Sequence, residues 1–253
     1  MRIVFLTNSY TYTSAAYIKS LLDKNMEIAG VILLNQLSIS RVISKAKKYG
    51  LGHVIKRAVE AVKMLLTDIT RGKEQVSGKP KSIEALIKEN SLVCYKVNDI
   101  NAERTQNLIK LLNPDIIFVC TLSQILKKDI IEIPKLGCIN IHAGLLPKYR
   151  GPASNFWVLY NSEEKTGITF YYLNTSIDNG DIILQRELNI LPGDTEETLD
   201  IRLSELGAKS IAGFISDIAQ GKAQRIPQDE LEATYFSQPS FKQRKELLKK
   251  RKK

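Results

Sequence analysis

The sequence predicts an α/β chain. Its core is an open, mostly parallel sheet with helices on both faces, a helical insertion at about 36–90 and a short C-terminal extension. Three observations predict it. The chain opens with a strand, helix, strand order: "RIVFLTN" (2–8), a helical pattern after Ser14, and "EIAGVILLN" (27–35). That order begins a parallel sheet. The rhythm breaks at 36–90, where apolar residues recur mostly at three- and four-residue steps. It then resumes through to "GCINIH" (137–142).

Each element has a local reason. "RIVFLTN" is apolar and β-branched, and short enough for a buried strand. Ser14 precedes "AAYIKSLLDKN", whose apolar residues share a helical face. The insertion reads as one or two amphipathic helices interrupted near Gly50 and Gly52, then a turn-rich hinge, then the helix "SIEALIKEN". "SLVCYKVND" is a short strand, "AERTQNLIKLLN" (102–113) a helix, "PDIIFVCTL" (114–122) a strand, and 127–132 another helix. "GPASNFWVLYNSE" (151–163) is helical; "KTGITFYYLN" (165–174) and "GDIILQRELNI" (180–190) form a hairpin or its equivalent. A long helix follows, with Asp194 or Thr195 as N-cap and two Glu in its first turn. Residues 1–218 are therefore one domain carrying the insertion, and 219–253 an extension ending in a basic tail.

Composition narrows the function classes. The chain has 253 residues, 43% hydrophobic and 25% charged, which is ordinary for a globular protein. No apolar run reaches the roughly 18 residues that span a bilayer, and "MRIVFLTNSY" lacks the pattern of a secretory signal. Cys94, Cys120 and Cys138 are odd in number and lie in apolar segments, so reduced core thiols of a cytoplasmic protein are expected. The net charge of +10 is uneven. Residues 241–253 carry eight Lys/Arg and one Glu, and residues 41–90 carry twelve Lys/Arg and five Asp/Glu. The remainder is slightly acidic. The tail reads as a solvated, disordered end, since clustered Lys without interleaved aromatics is a weak nucleic-acid signal.

Residues 138–152, "CINIHAGLLPKYRGP", place Asn140 and His142 two apart at a strand end. Residues i and i+2 of a strand point to the same side. In an open α/β sheet, ligands bind at the carboxyl ends of the strands. An imidazole exchanges a proton near neutral pH, and an amide N–H stabilises a developing oxyanion. The pair needs a carboxylate to orient the ring or relay its proton. Asp178 in "SIDNGD" is the candidate and Asp181 its competitor. On residue types alone, this is an acyl-transfer or general acid–base site, or a turn-capping asparagine beside a satisfied histidine.

"INIHAGLLPKYRGPASNFW" followed by "SIDNGDIILQ" resembles the formyltransferases that use formyltetrahydrofolate. These include glycinamide ribonucleotide, methionyl-tRNA and sugar-nucleotide N-formyltransferases. The resemblance covers roughly 1–35 and 90–215 and implies a Rossmann-like formyltransferase sheet. It also implies transfer of a formyl group from formyltetrahydrofolate to a primary amine, without a metal. Asn140 would bond the oxyanion, His142 would assist proton transfer, and Asp178 would hold His142 and relay the amine proton. "LSQIL" (122–126) would line the pteridine pocket. There the main-chain groups of Gln124 and Leu126 would meet the ring, Leu122 would form an apolar wall, and the turn from Asn174 to Asp178 would close the other side.

The acceptor is less determined. "TNSYTYTSAAYI" (7–18) lacks the glycine-rich phosphate loop of the ribonucleotide enzymes, although a hydroxyl-rich loop at a helix N-terminus can bind phosphate. The C-terminal barrel of the tRNA enzymes has no counterpart in 219–253. The expected acceptor is therefore a nucleotide-linked amino sugar, for which "ATYFSQPS" (233–240) offers a weak subfamily likeness. Methionyl-tRNA and glycinamide ribonucleotide are the alternatives, and nucleic acid is not the favoured partner. A formyltetrahydrofolate hydrolase and a non-catalytic folate-binding module stay open. The insertion is expected to cap the site mouth, to serve a homodimer, or to lie on a membrane surface.

Overall fold

A computed structural model describes residues 1–9, 13–35 and 82–250. Among the described residues, seven strands form one sheet in the order β3-β2-β1-β4-β5-β6-β7. They are β1 (Ile3–Asn8), β2 (Ile28–Leu34), β3 (Cys94–Val97), β4 (Ile116–Cys120), β5 (Cys138–His142), β6 (Lys165–Tyr172) and β7 (Ile182–Asn189). β3 through β5 pair in parallel, while β6 and β7 are antiparallel. The order reverses between β1 and β4, which makes a topological switch point at their carboxyl ends.

β1 and β4 are buried at every position. Their side chains feed two cores, one on each face, which explains apolar runs without alternation. One core joins Ile3, Phe5, Ile116 and Phe118 to α1 (Thr13–Leu22), α5 (Ser154–Tyr160) and α6 (Glu196–Ala219). Its centre is aromatic: Phe118 stacks on Phe5 at 5.5 Å, and Phe214 meets Phe170 at 4.6 Å and Phe118 at 6.2 Å. The other core joins Val4, Leu6, Ile117 and Val119 to α3 (Glu103–Leu112) and α4 (Lys128–Ile131). α2 (Ile83–Glu89) begins at Ser82, whose hydroxyl accepts from the Ala85 amide, and is the described part of the expected insertion. The expected interruption near Gly50 and Gly52 lies outside the described residues.

α6 starts at Thr195. Its hydroxyl accepts from the Thr198 amide while the Thr198 hydroxyl accepts from the Thr195 amide, a reciprocal cap. Asp194 does not cap; its carboxylate accepts from Leu191 N, Thr198 Oγ1 and Arg202. Thr195→Ala is expected to cost about 1 kcal/mol, read from the urea unfolding midpoint.

The tail differs from expectation. Phe241–Lys250 is a helix, α7, docked on α5. Leu247 is buried in the first core, Tyr160 donates to Glu246 at 2.6 Å, and Arg244 pairs with Glu196 at 2.9 Å. With Lys250 Nζ donating to the Tyr160 carbonyl at 2.9 Å, one buried leucine and three cross-element polar contacts hold a segment whose composition is mostly charge.

Candidate active site

β5 carries the pair. Cys138, Asn140 and His142 lie on one side of it, and Ile139 and Ile141 point into the opposite core. The antiparallel register sets Asn140 opposite Tyr171 and His142 opposite Thr169. Cross-strand partners on one face are in side-chain contact. Asn140 Nδ2 donates to the Tyr171 hydroxyl at 2.7 Å, and that hydroxyl donates to Asp178 Oδ1 at 2.6 Å. Asp178 Oδ2 accepts from the Gly151 amide at 2.7 Å and faces His142 Nδ1 at 3.7 Å. Asn140, His142 and Asp178 thus meet at one strand end.

Orientation of the imidazole was expected from Asp178. In the structure a backbone carbonyl does much of it. His142 is buried, with Nε2 2.9 Å from the Tyr149 carbonyl. A carbonyl only accepts, so Nε2 carries a proton. Nδ1 is then the nitrogen that faces the Asp178 carboxylate. Both oxygens of that carboxylate already have a donor, which fixes its direction. Asp181 enters differently: its main-chain carbonyl accepts from Tyr172 N at 2.9 Å.

Asp178 holds a left-handed backbone, φ 49°, in the turn between β6 and β7. The loop from Gly144 to Gly151 is equally constrained. A Cβ at Gly144 would lie 2.9 Å from His142 Nε2, so only glycine lets the chain pass the ring. Gly151 has φ 96°, and a Cβ there would sit 2.3 Å from the Phe236 carbonyl.

The C-terminal extension is part of this site, which the sequence did not suggest. Arg150 N donates to the Thr234 carbonyl and Phe236 N to the Arg150 carbonyl, at 2.8 and 2.9 Å. Buried Arg150 spans Asn179, Gln228 and Glu230 at 2.8–3.1 Å. Gln228 Nε2 donates to the carbonyls of Asp178 and Gly180 at 2.9 and 2.8 Å. Residues 226–237 therefore strap the loop carrying Tyr149–Gly151 to the turn carrying Asp178. The Arg150 guanidinium also holds the exposed Glu230 carboxyl below its usual range.

The four residues expected at the folate follow β4 or precede Asp178. Leu122 packs at the margin of the second core and Leu126 is buried in it. The Gln124 side chain is committed elsewhere: Oε1 accepts from Ile100 N at 2.7 Å and Nε2 donates to Asp99 at 3.0 Å. Its main-chain groups stay on the loop. That loop is tied to β1 by Asn8, whose Oδ1 accepts from Ser123 N and Oγ at 3.1 Å and whose Nδ2 donates to Thr121 O. Asn174 Oδ1 caps its own turn by accepting from Ser176 N at 2.9 Å. At the switch point the hydroxyls of Thr7 and Ser14 lie 2.7 Å apart, and Thr121 Oγ1 is 3.1 Å from Thr7.

Two cysteines are buried and inert. Burial pushes the Cys120 thiol up to about 12 and raises Cys138 further. Among the described residues, no cluster of His, Cys, Asp and Glu is placed to hold a metal, and no helix is long and apolar enough to cross a membrane.

Sequence likeness gives the family, and likeness to solved structures gives the fold. Methionyl-tRNA formyltransferase from Clostridioides difficile (strain 630) is 41% identical over 153 residues, 60% of this chain and 50% of that protein. The chain spans about half the length of the curated relatives it matches. An N-formyltransferase from Helicobacter canadensis, solved with folinic acid and dTDP-3-aminofucose, superposes with a TM-score of 0.60 at 18% identity. The match covers 94% of this chain and 70% of that one. Glycinamide ribonucleotide transformylase 1 from Symbiobacterium toebii gives a TM-score of 0.63 at 16% identity, over 89% and 94% of the two chains. At these identities the structures establish the fold. The formyl transferase family model matches residues 1–215, and the chain belongs to that family.

Proposed function

We propose that this protein transfers a formyl group from formyltetrahydrofolate to a primary amine. The observation that carries the reading is the convergence of Asn140, His142 and Asp178 at the carboxyl end of β5. The acceptor nitrogen attacks the formyl carbon, its bond to the folate nitrogen breaks, and the acceptor's proton passes to the departing nitrogen. The second N–H of the Asn140 amide donates to the oxyanion. His142, held by the Tyr149 carbonyl, stands beside it and assists the proton transfer. Asp178 receives the acceptor's proton and returns it to the leaving nitrogen. Leu122 and the main chain at Gln124 and Leu126 hold the folate ring, with the turn from Asn174 to Asp178 opposite.

For the acceptor, the support is divided. Relatives about 40% identical are named for methionyl-tRNA, which weighs against the amino sugar expected from the sequence. The amino-sugar reading rests on fold likeness and on the short "ATYFSQPS" segment. We therefore favour methionyl-tRNA, with a nucleotide-linked amino sugar as the second reading.

The test is release of tetrahydrofolate from formyltetrahydrofolate, with and without methionyl-tRNA, dTDP-3-aminofucose or glycinamide ribonucleotide. Release that requires one amine is the expected result. Release without any amine indicates a hydrolase, and binding without release a folate-binding module; either overturns the proposal.

A further inference from the structure

We infer that the buried hydroxyl of Tyr171 is a positioning group for formyl transfer, setting which way the Asn140 amide faces and coupling it to Asp178. This rests on the formyl-transfer reading above. Tyr171 is fully buried, so it does not touch substrate and acts through its two partners.

Donors and acceptors decide the orientation. A phenol has one hydrogen to give. The Asp178 carboxylate accepts and does not donate, and its Oδ1 lies 2.6 Å from the Tyr171 oxygen. The phenol hydrogen therefore points at Asp178. Its oxygen is left as an acceptor, and the group 2.7 Å away on Asn140 must be the N–H side of the amide. The choice between the two faces of an amide, nearly isosteric in shape, is thus made by Tyr171. The Asn140 carbonyl is held away from the Tyr171 side, and the second N–H stays free for an oxyanion. Burial and the adjacent Asp178 carboxylate push the phenol well above its usual range, so it remains a donor throughout the working pH. The same hydroxyl anchors the one Asp178 oxygen that Gly151 does not. With phenylalanine in its place, the amide rotates freely and presents its carbonyl to the oxyanion part of the time. Asp178 also loses one of its two fixed donors.

The test is Tyr171→Phe in tetrahydrofolate-release kinetics with the wild-type acceptor, alone and combined with Asn140→Ala. The expected result is a fall in kcat of roughly 10- to 100-fold, short of the roughly 100- to 1000-fold lost with an oxyanion donor. The KM for formyltetrahydrofolate should stay within about twofold, because no substrate contact is removed. In the Asn140→Ala background the same change should cost clearly less than in wild type, because the amide it orients is gone and only the donor lost from Asp178 remains. Wild-type kcat in Tyr171→Phe, or losses that multiply independently in the double variant, overturn the inference and leave formyl transfer standing. A wild-type protein with no amine-dependent release removes the formyl-transfer reading and this inference with it.

Discussion

Asp178→Asn is expected to lower kcat for formyl transfer by roughly 100- to 10,000-fold, the range for losing a positioned general acid–base group. The substitution isolates charge from shape. Asp178 sits at φ 49°, a left-handed conformation that asparagine tolerates and most residues do not, so Asn brings little backbone strain. One carboxamide oxygen can still accept from Tyr171. The amide nitrogen then lies against the Gly151 N–H, where two donors meet, and His142 Nδ1 loses the negative charge 3.7 Å away. The lost hydrogen bond should cost about 1–3 kcal/mol of stability, which leaves a folded protein for kinetic comparison. Initial rates of tetrahydrofolate release, with the thermal midpoint as control, separate the two effects. A variant within about threefold of wild type would show that Asp178 is structural and that the proton moves elsewhere.

How much of this site was legible in the sequence follows from how local each signal is. Asn140 and His142 could be paired from the chain alone, because the two-residue period of a strand is a property of the backbone. The parallel order of β1, β2 and β4 was equally accessible, since apolar runs and helical spacing between them leave few topologies. Asp178 could be preferred over Asp181 only by its place on the turn between two β-segments, and its role came from the family likeness. Tyr171 was out of reach for a different reason. Its place opposite Asn140 depends on the register between β5 and β6, and the connection between those strands is long and contains α5. No short turn sets that register, so a one-residue slip would have hidden the tyrosine on the other face.

The strap was invisible for a third reason. Several of its contacts run through main-chain groups, as in Arg150 with Thr234 and Phe236, and those can be made by almost any residue type. Gly151 left a trace, because its positive φ and the nearby Phe236 carbonyl demand glycine, but a loop glycine next to proline has many explanations. The helix α7 shows the same limit. Composition predicted a solvated end, while one buried leucine, the Arg244–Glu196 ion pair and hydrogen bonds to Tyr160 decided its position.

Gly180→Ala should damage both stability and rate, and more than its size suggests. A Cβ at this position would lie 1.6 Å from the Tyr172 carbonyl oxygen and 2.8 Å from its carbon, so backbone has to move. Neither side yields easily. Tyr172 N donates to the Asp181 carbonyl, which fastens the turn to β6, and Gln228 Nε2 grips the carbonyls of Asp178 and Gly180 from the strap. The residue before Tyr172 is Tyr171, whose hydroxyl holds Asn140 and Asp178 together. Any shift that accommodates the methyl therefore separates Asn140 from Asp178, the groups proposed to carry the reaction. Overpacking of this kind costs about 1–3 kcal/mol, and a displacement near 1 Å in a reacting group costs about 100-fold in rate. Gly213→Ala is the matched control: it lies within α6 with no atom within 4 Å of its Cβ position, so it should gain up to about 1 kcal/mol and leave kcat unchanged. Urea unfolding and kcat measured on both variants decide the matter. If Gly180→Ala lost stability but kept its kcat, the turn would adapt without carrying Asp178 with it. Asp178 would then owe its position to Tyr171 and Gly151 alone.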